Sequence, residues 1–219
     1  SSVIFSAGGF DAIYGDKMSS VLDIRYKKPS EFGASFSAGL LGGSLHLEGC
    51  SDNYRFRHIT GIRYKSNKYL LTSTDTRGRY EPNFSDIQTY MTYDISDEFE
   101  LGFLGQFSRN TFNFIPVERE TTLGNLNESY NLTVYFEGQE QDRYTTATTA
   151  FSGTYSPSQD LVMKFIASGF TTSEKESYDI LGEYYLNELE SDLGSEDLGD
   201  SVGNVGIGTF LNHARNYLT

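Results

Sequence analysis

Three groups of residues carry side chains with chemical potential. The densest is acidic: between Glu174 and Asp200 the chain places ten carboxylates against a single Lys175. Within it, Asp192, Glu196, Asp197 and Asp200, spaced by Gly194 and Gly199, offer the hard oxygen ligands that Ca²⁺ takes. Their spacing does not follow the EF-hand rule of alternate ligands closed by a glutamate at position 12, so a solvated acidic surface loop is the simpler reading. The second group is a row of arginines, Arg55, Arg57 and Arg63, on alternate positions of one extended segment. Guanidinium groups so arranged would attract an anionic substrate or pair with carboxylates, of which Asp86 and Asp94 are the natural partners; pairing is the more economical role. The third group is the knot Gly8, Gly9, Tyr14, Gly15, Asp16 and Asp23, where the glycines supply turns and the carboxylates satisfy local donors. His46, His58 and His213 stand apart without ligand spacing, and Cys50 has no base beside it in sequence. No nucleophile elbow, phosphate loop or dinucleotide fingerprint is present, so the sequence gives no basis for catalysis and calls for no cofactor.

These groups must be positioned by strands. In 86–95 the odd positions Ile87, Thr89, Met91, Tyr93 and Ile95 oppose Asp86, Gln88, Tyr90, Thr92 and Asp94. In 98–108 Phe99, Leu101, Phe103, Gly105 and Phe107 oppose Glu98, Glu100, Gln106 and Ser108. The same period of two runs through 32–40, 54–64, 144–155 and 161–169, and Gly206–Thr219 reads as a further strand. The segment 177–188 is either a strand of its own or the continuation of the one before it. Aromatic residues sit near the ends of the apolar faces: Tyr54 and Tyr64, Phe99 and Phe107, and Tyr155.

The connections sort by length. Tight links fall at Ser51-Asp52-Asn53, Ser96-Asp97 and Ser156-Pro157-Ser158-Gln159, and long polar links at roughly 65–83, 110–141 and 173–205. Short and long in alternation is the habit of membrane β-barrels, which carry short turns on one side and long loops on the other. Composition agrees. Hydrophobic residues make up only 37 % of the chain while Phe and Tyr reach 15 %, as expected for strands with one apolar and one polar face. A net charge of −13 argues against a nucleic-acid binder, which needs a basic face. No apolar run is long enough for a transmembrane helix. The fold expected is therefore all-β: antiparallel, up-and-down transmembrane β-barrel strands, eight or nine in number.

Two patches carry a family resemblance. The first is Tyr14-Gly15-Asp16 followed by Ser19-Ser20-Val21-Leu22-Asp23-Ile24, which resembles the C-terminal end of the plug domain in TonB-dependent outer-membrane receptors. The second is Gly206-Ile207-Gly208-Thr209-Phe210-Leu211-Asn212-His213-Ala214-Arg215-Asn216, which looks like a barrel segment of such receptors from Bacteroidetes. Ser20 and Leu22 depart from the usual Gly and Ile of the plug strand. The resemblance implies that residues 1–29 end a plug and 30–219 begin a plugged barrel of about 22 strands. Gly8, Gly9, Tyr14, Gly15, Asp16 and Asp23 would then form the plug–barrel junction, and Arg55, Arg57, Arg63, Asp86 and Asp94 would face the lumen. It further implies a fragment of a longer protein in the outer membrane of a Gram-negative bacterium, engaged in energy-coupled uptake of a nutrient. The partners implied are the TonB complex (through an N-terminal part outside this chain), outer-membrane lipid, an unidentified nutrient and a surface lipoprotein. Two other readings fit the residues: a small non-transporting outer-membrane barrel or adhesin, and a soluble β-sandwich binding module.

Overall fold

The structure, a computed structural model, describes residues 1–15, 19–68, 71, 78–125 and 128–219. It is all-β and antiparallel. A small hairpin comes first, β1 (Ser2–Ala7) paired with β2 (Ser20–Arg25), with Phe5 opposite Leu22 and Ile4 opposite Asp23. The segment 26–32 then leads into one large sheet: β3 (Gly33–Gly39), β4 (Gly42–Cys50), β5 (Phe56–Ser66), β6 (Gly78–Asp94), β7 (Phe99–Pro116), β8 (Arg119–Gly124), β9 (Ser129–Ser158), β10 (Leu161–Leu189) and β11 (Ser201–Leu218). Each strand pairs with the one before it, apart from β8, a short strand that pairs with β9 off the main path.

Several strands are longer than their alternation foretells, and the long links shrink accordingly. The link expected at 173–205 is strand up to Leu189, and the loop proper is 190–200. Residues 177–188 thus continue the strand before them. Between Ser66 and Gly78 the connection is 67–77, and β7 runs to Pro116 before the β8 excursion. The extra length comes from pairing: β9 and β10 stay in register from Ser158 opposite Leu161 to Ser129 opposite Leu189, with one irregularity near the turn. β4, absent from the sequence reading, fills the space between 32–40 and 54–64, and it is reached by a two-residue turn at Leu40–Leu41 closed by Gly42 at φ +134.

There is almost no conventional core. Val21, Pro29 and Ile59 are the buried apolar side chains among the described residues, and Thr92 the buried polar one. The accessible surface is 15363 Å². A compact monomer of 24.5 kDa would expose about 10,000 Å² by the usual size scaling. Substantial contacts join only strands that are neighbours in the sheet. The sheet does not fold onto a second one, so its two faces decide what it can do.

Candidate functional site

The sheet's register sorts every side chain onto one of two faces. One face is aromatic. Across β6, β7, β9 and β10 its rows read Tyr93–Leu101–Gly153–Phe165, Met91–Phe103–Phe151–Ala167, Thr89–Gly105–Thr149–Gly169 and Ile87–Phe107–Ala147–Thr171. Continued through Phe56, His58, Thr60 and Ile62 on β5, Leu45 and Leu47 on β4, and Ala34 and Phe36 on β3, this band contains no Asp, Glu, Lys or Arg. Its large side chains are open to the surroundings, Phe36 by 75 %, Phe151 by 61 % and Phe165 by 67 %. Ring pairs stiffen it: Phe103 and Phe151 lie 5.0 Å apart and Phe99 and Tyr155 6.4 Å apart, centroid to centroid. A shallow apolar trough of about 500 Å³ runs between Phe56, Leu101, Phe103, Phe151 and Phe165. The band is about nine residues tall on β7, from Phe99 to Phe107, the length of strand that crosses a hydrocarbon layer at a steep tilt.

The opposite face is polar over the same rows, and it is the more enclosed of the two. Glu48, Arg57, Arg63, Asp86, Gln88, Thr92, Asp94, Glu100, Gln106, Thr148 and Ser152 lie on it, interrupted by the row Ile59–Tyr90–Leu104–Ala150 and, at the sheet margin, by Ile166 and Phe170. Of the sequence candidates, Arg57 donates from Nη1 to Asp94 Oδ2 at 2.7 Å, and Arg63 from Nε to Asp86 Oδ2 at 2.9 Å. Arg55 lies just before β5, where its carbonyl accepts from the Asp94 amide at 2.8 Å. Arg55, Arg57, Asp94, Glu100 and Lys28 line a polar trough of about 450 Å³ at the short-turn end of this face.

The sequence reading missed what crosses this face. Tyr26, Lys27 and Lys28 of the connecting segment lie against it: Tyr26 stacks on Tyr90 with ring centroids 4.8 Å apart and accepts a hydrogen bond from Gln88, Lys27 Nζ donates to Glu48 Oε1 at 2.7 Å, and Lys28 pairs with Glu100. The segment between the small hairpin and the large sheet is therefore tied to β4, β6 and β7 on the polar side. The only local hint was the Lys27-Lys28 pair before Pro29, which does not say where its partners are. Within the hairpin region, the Tyr14 hydroxyl donates to Asp23 Oδ2 at 2.9 Å, which raises the phenol pKa, and Arg25 approaches the same oxygen at 3.3 Å. Gly8 takes φ +78 and its amide reaches the Ser19 carbonyl, while Gly9 and Gly15 stand in open space. Asp16 lies outside the described residues.

Just beyond the band, toward the long connections, the polar side gathers carboxylates. Glu140, Asp142, Glu174 and Glu176 cluster on the polar side. Burial, then the Asp142 and Glu176 charges, pushes Glu140 above the usual carboxylate range; burial and then Glu176 do the same to Asp142. The Tyr144 hydroxyl donates to Glu176 Oε1 at 2.7 Å, and that bond lifts its pKa to about 12. In the 190–200 loop the Asp192 carboxylate accepts from the Gly194 amide at 2.9 Å, and Asp200 and Glu190 close the loop through their backbones. Among the described residues no group of three or more His, Cys, Asp or Glu converges as a metal site, so Asp192, Glu196, Asp197 and Asp200 are not brought together.

Compared with models of known protein families, with curated proteins and with solved structures, the chain gives no significant match.

Proposed function

We propose that this chain is part of a plugged outer-membrane β-barrel receptor of the TonB-dependent type, engaged in energy-coupled nutrient uptake. The observation that carries the membrane half of the reading is the charge-free band on one face only, across seven successive strands. Seven strands about 4.8 Å apart and nine residues at about 3.3 Å each make a face of roughly 900 Å², larger than the largest apolar patch of an ordinary soluble monomer, about 300–600 Å². Lipid would cover it. The polar face would then line the lumen, where Arg57 and Arg63 keep their carboxylate partners instead of meeting hydrocarbon.

The receptor half rests on the resemblance of residues 14–24 to a plug terminus. It gains support from the path of Tyr26–Lys28 along the polar face, the side on which a plug handing over to its barrel has to lie. The test is growth of the bacterium that carries the gene, with the gene intact or deleted, on a panel of single carbon, iron and vitamin sources, each with TonB present and absent. The expected result is one source whose use needs both the gene and TonB. Growth unchanged on every source overturns the transport reading and leaves the non-transporting barrel or adhesin in its place.

A further inference from the structure

We propose that the aromatic face carries, just beyond its charge-free band, a site for the phosphate of an anionic lipid headgroup, formed by Arg109, Arg143, Lys175 and Arg215. The inference rests on the membrane reading above and adds a ligand to it. Register places the four cations in three consecutive rows: Ser85–Arg109–Thr145–Ser173, then Asn83–Thr111–Arg143–Lys175–Tyr217, then Glu81–Asn113–Gln141–Ser177–Arg215. All four side chains are exposed. Among the described residues none of them meets a carboxylate, whereas Lys27, Lys28, Arg57 and Arg63 on the polar side each do. The one acid in those rows, Glu81, is paired with Lys68.

Chance does not arrange this in a chain of net charge −13. Apart from Glu81, the acids at the same height, Glu140, Asp142, Glu174 and Glu176, turn to the other face, so that the sign flips between sequence neighbours in Asp142-Arg143 and Glu174-Lys175-Glu176. Segregation of this kind is favourable where the cationic side meets an anionic surface. Around Arg143 and Lys175 the surface is hollowed into a polar trough of about 280 Å³, lined also by Thr111, Gln141, Tyr217 and, from the neighbouring positions whose side chains alternate to the other face, Asp142 and Glu176. Lys175 Nζ lies 5.7 Å from the Tyr217 ring centroid, an aromatic–cation pair of the sort that sits at headgroup level. Arg109 follows Phe107 by two residues, about 7 Å along the strand, and Arg143 and Lys175 stand four residues beyond Ala147 and Thr171, about 13 Å. At a strand tilt of about 45° these are depths of about 5 and 9 Å, the inner and outer limits of a headgroup layer of roughly 5–8 Å.

The test uses the full-length protein reconstituted in phosphatidylcholine vesicles containing a trace of spin-labelled phosphatidylglycerol or spin-labelled phosphatidylcholine. The wild type should immobilise the phosphatidylglycerol probe in preference. Replacing Arg143→Gln and Lys175→Gln together should reduce that preference about fivefold per cation, from roughly 1 kcal/mol each at an anionic surface. Glu174→Gln, on the opposite face, should leave it unchanged, and inorganic phosphate in the buffer should not displace the probe. Insertion of the wild type without preference, or equal preference in wild type and double variant, overturns the lipid site and spares the membrane reading. Displacement by inorganic phosphate assigns the cations to free anions and overturns it too. Failure of the wild type to enter vesicles overturns both.

Discussion

Replacing Phe103 by Arg sets a charge in the middle row of the band, beside Phe151 at 5.0 Å and in register with Met91. Two losses add. The aromatic pair is worth roughly 0.5–1.5 kcal/mol beyond its area. An Arg on the lipid side at mid-depth costs about 2–4 kcal/mol. Together they come to about 3–5 kcal/mol. The neighbouring Leu104 points to the other face, between Tyr90 and Ala150 and close to the Gln88–Gln106 row. Leu104→Arg gives up some apolar contact there, about 1 kcal/mol, but its guanidinium finds amides and water. The two adjacent substitutions should therefore differ by about 2–4 kcal/mol, between about thirty- and about a thousandfold in the folding equilibrium. The assay is urea titration of the full-length protein refolded into phosphatidylcholine vesicles, following the fraction that migrates as a folded, heat-modifiable band. Equal destabilisation, or a greater effect at Leu104, would refute the assignment of faces.

Three further outcomes follow from local geometry. A double-mutant cycle on Arg57 and Asp94, whose side chains are 19 % and 29 % exposed, should give a coupling of about 1–2 kcal/mol, against well under 1 kcal/mol for Arg63 and Asp86, where the arginine is 64 % exposed; similar couplings in the same vesicle titration would contradict the difference in enclosure. Gly138 sits in β9 at φ +94, and a Cβ there would come within 1.7 Å of the Asp179 carbonyl, so Gly138→Ala should speed hydrogen exchange at 129–137 and 181–189 and spare 147–155; unchanged exchange would show that the backbone tolerates a side chain. Glu140 and Asp142 have folded-state pKa values above their unfolded ones, so folding holds their protons more tightly. Stability of the outer β9–β10 ribbon should accordingly fall as pH rises from the unfolded carboxylate range, about 4, through the raised folded values, and level off above them. Native-state hydrogen exchange corrected for intrinsic rates reads this directly, and a rise in protection over that window would reverse the sign.

Alternation made the band legible because lipid or core contact on one face and water on the other writes a period of two into the chain. The segments 86–95 and 98–108 lie on β6 and β7 for that reason, with Ser96-Asp97 marking the turn between them. Above the band both faces are polar, so β9 and β10 lose the pattern near Thr145 and Ser173 although their pairing continues to Ser129 and Leu189. β4 was hidden for a different reason: Leu45 and Leu47 are its only large apolar residues, and the turn before it is made of leucines instead of Gly-Asn chemistry. The linker's partners were out of reach of any local pattern. Tyr26 meets Gln88 across 62 positions, and Lys28 meets Glu100 across 72.

The length of the β9–β10 hairpin also sets a reach. From Thr171, in the last charge-free row, to Leu189 is eighteen residues, roughly 60 Å of extended chain and about twice the thickness of a bilayer's hydrocarbon core. In the proposed membrane setting a ribbon of that length, braced by β11 on one side and inclined at about 45°, would lift the acidic 190–200 loop about 40 Å beyond the band. Whatever touched that loop would then do so at a distance from the membrane, where a bulky solute or another protein would be met before it came near the lipid.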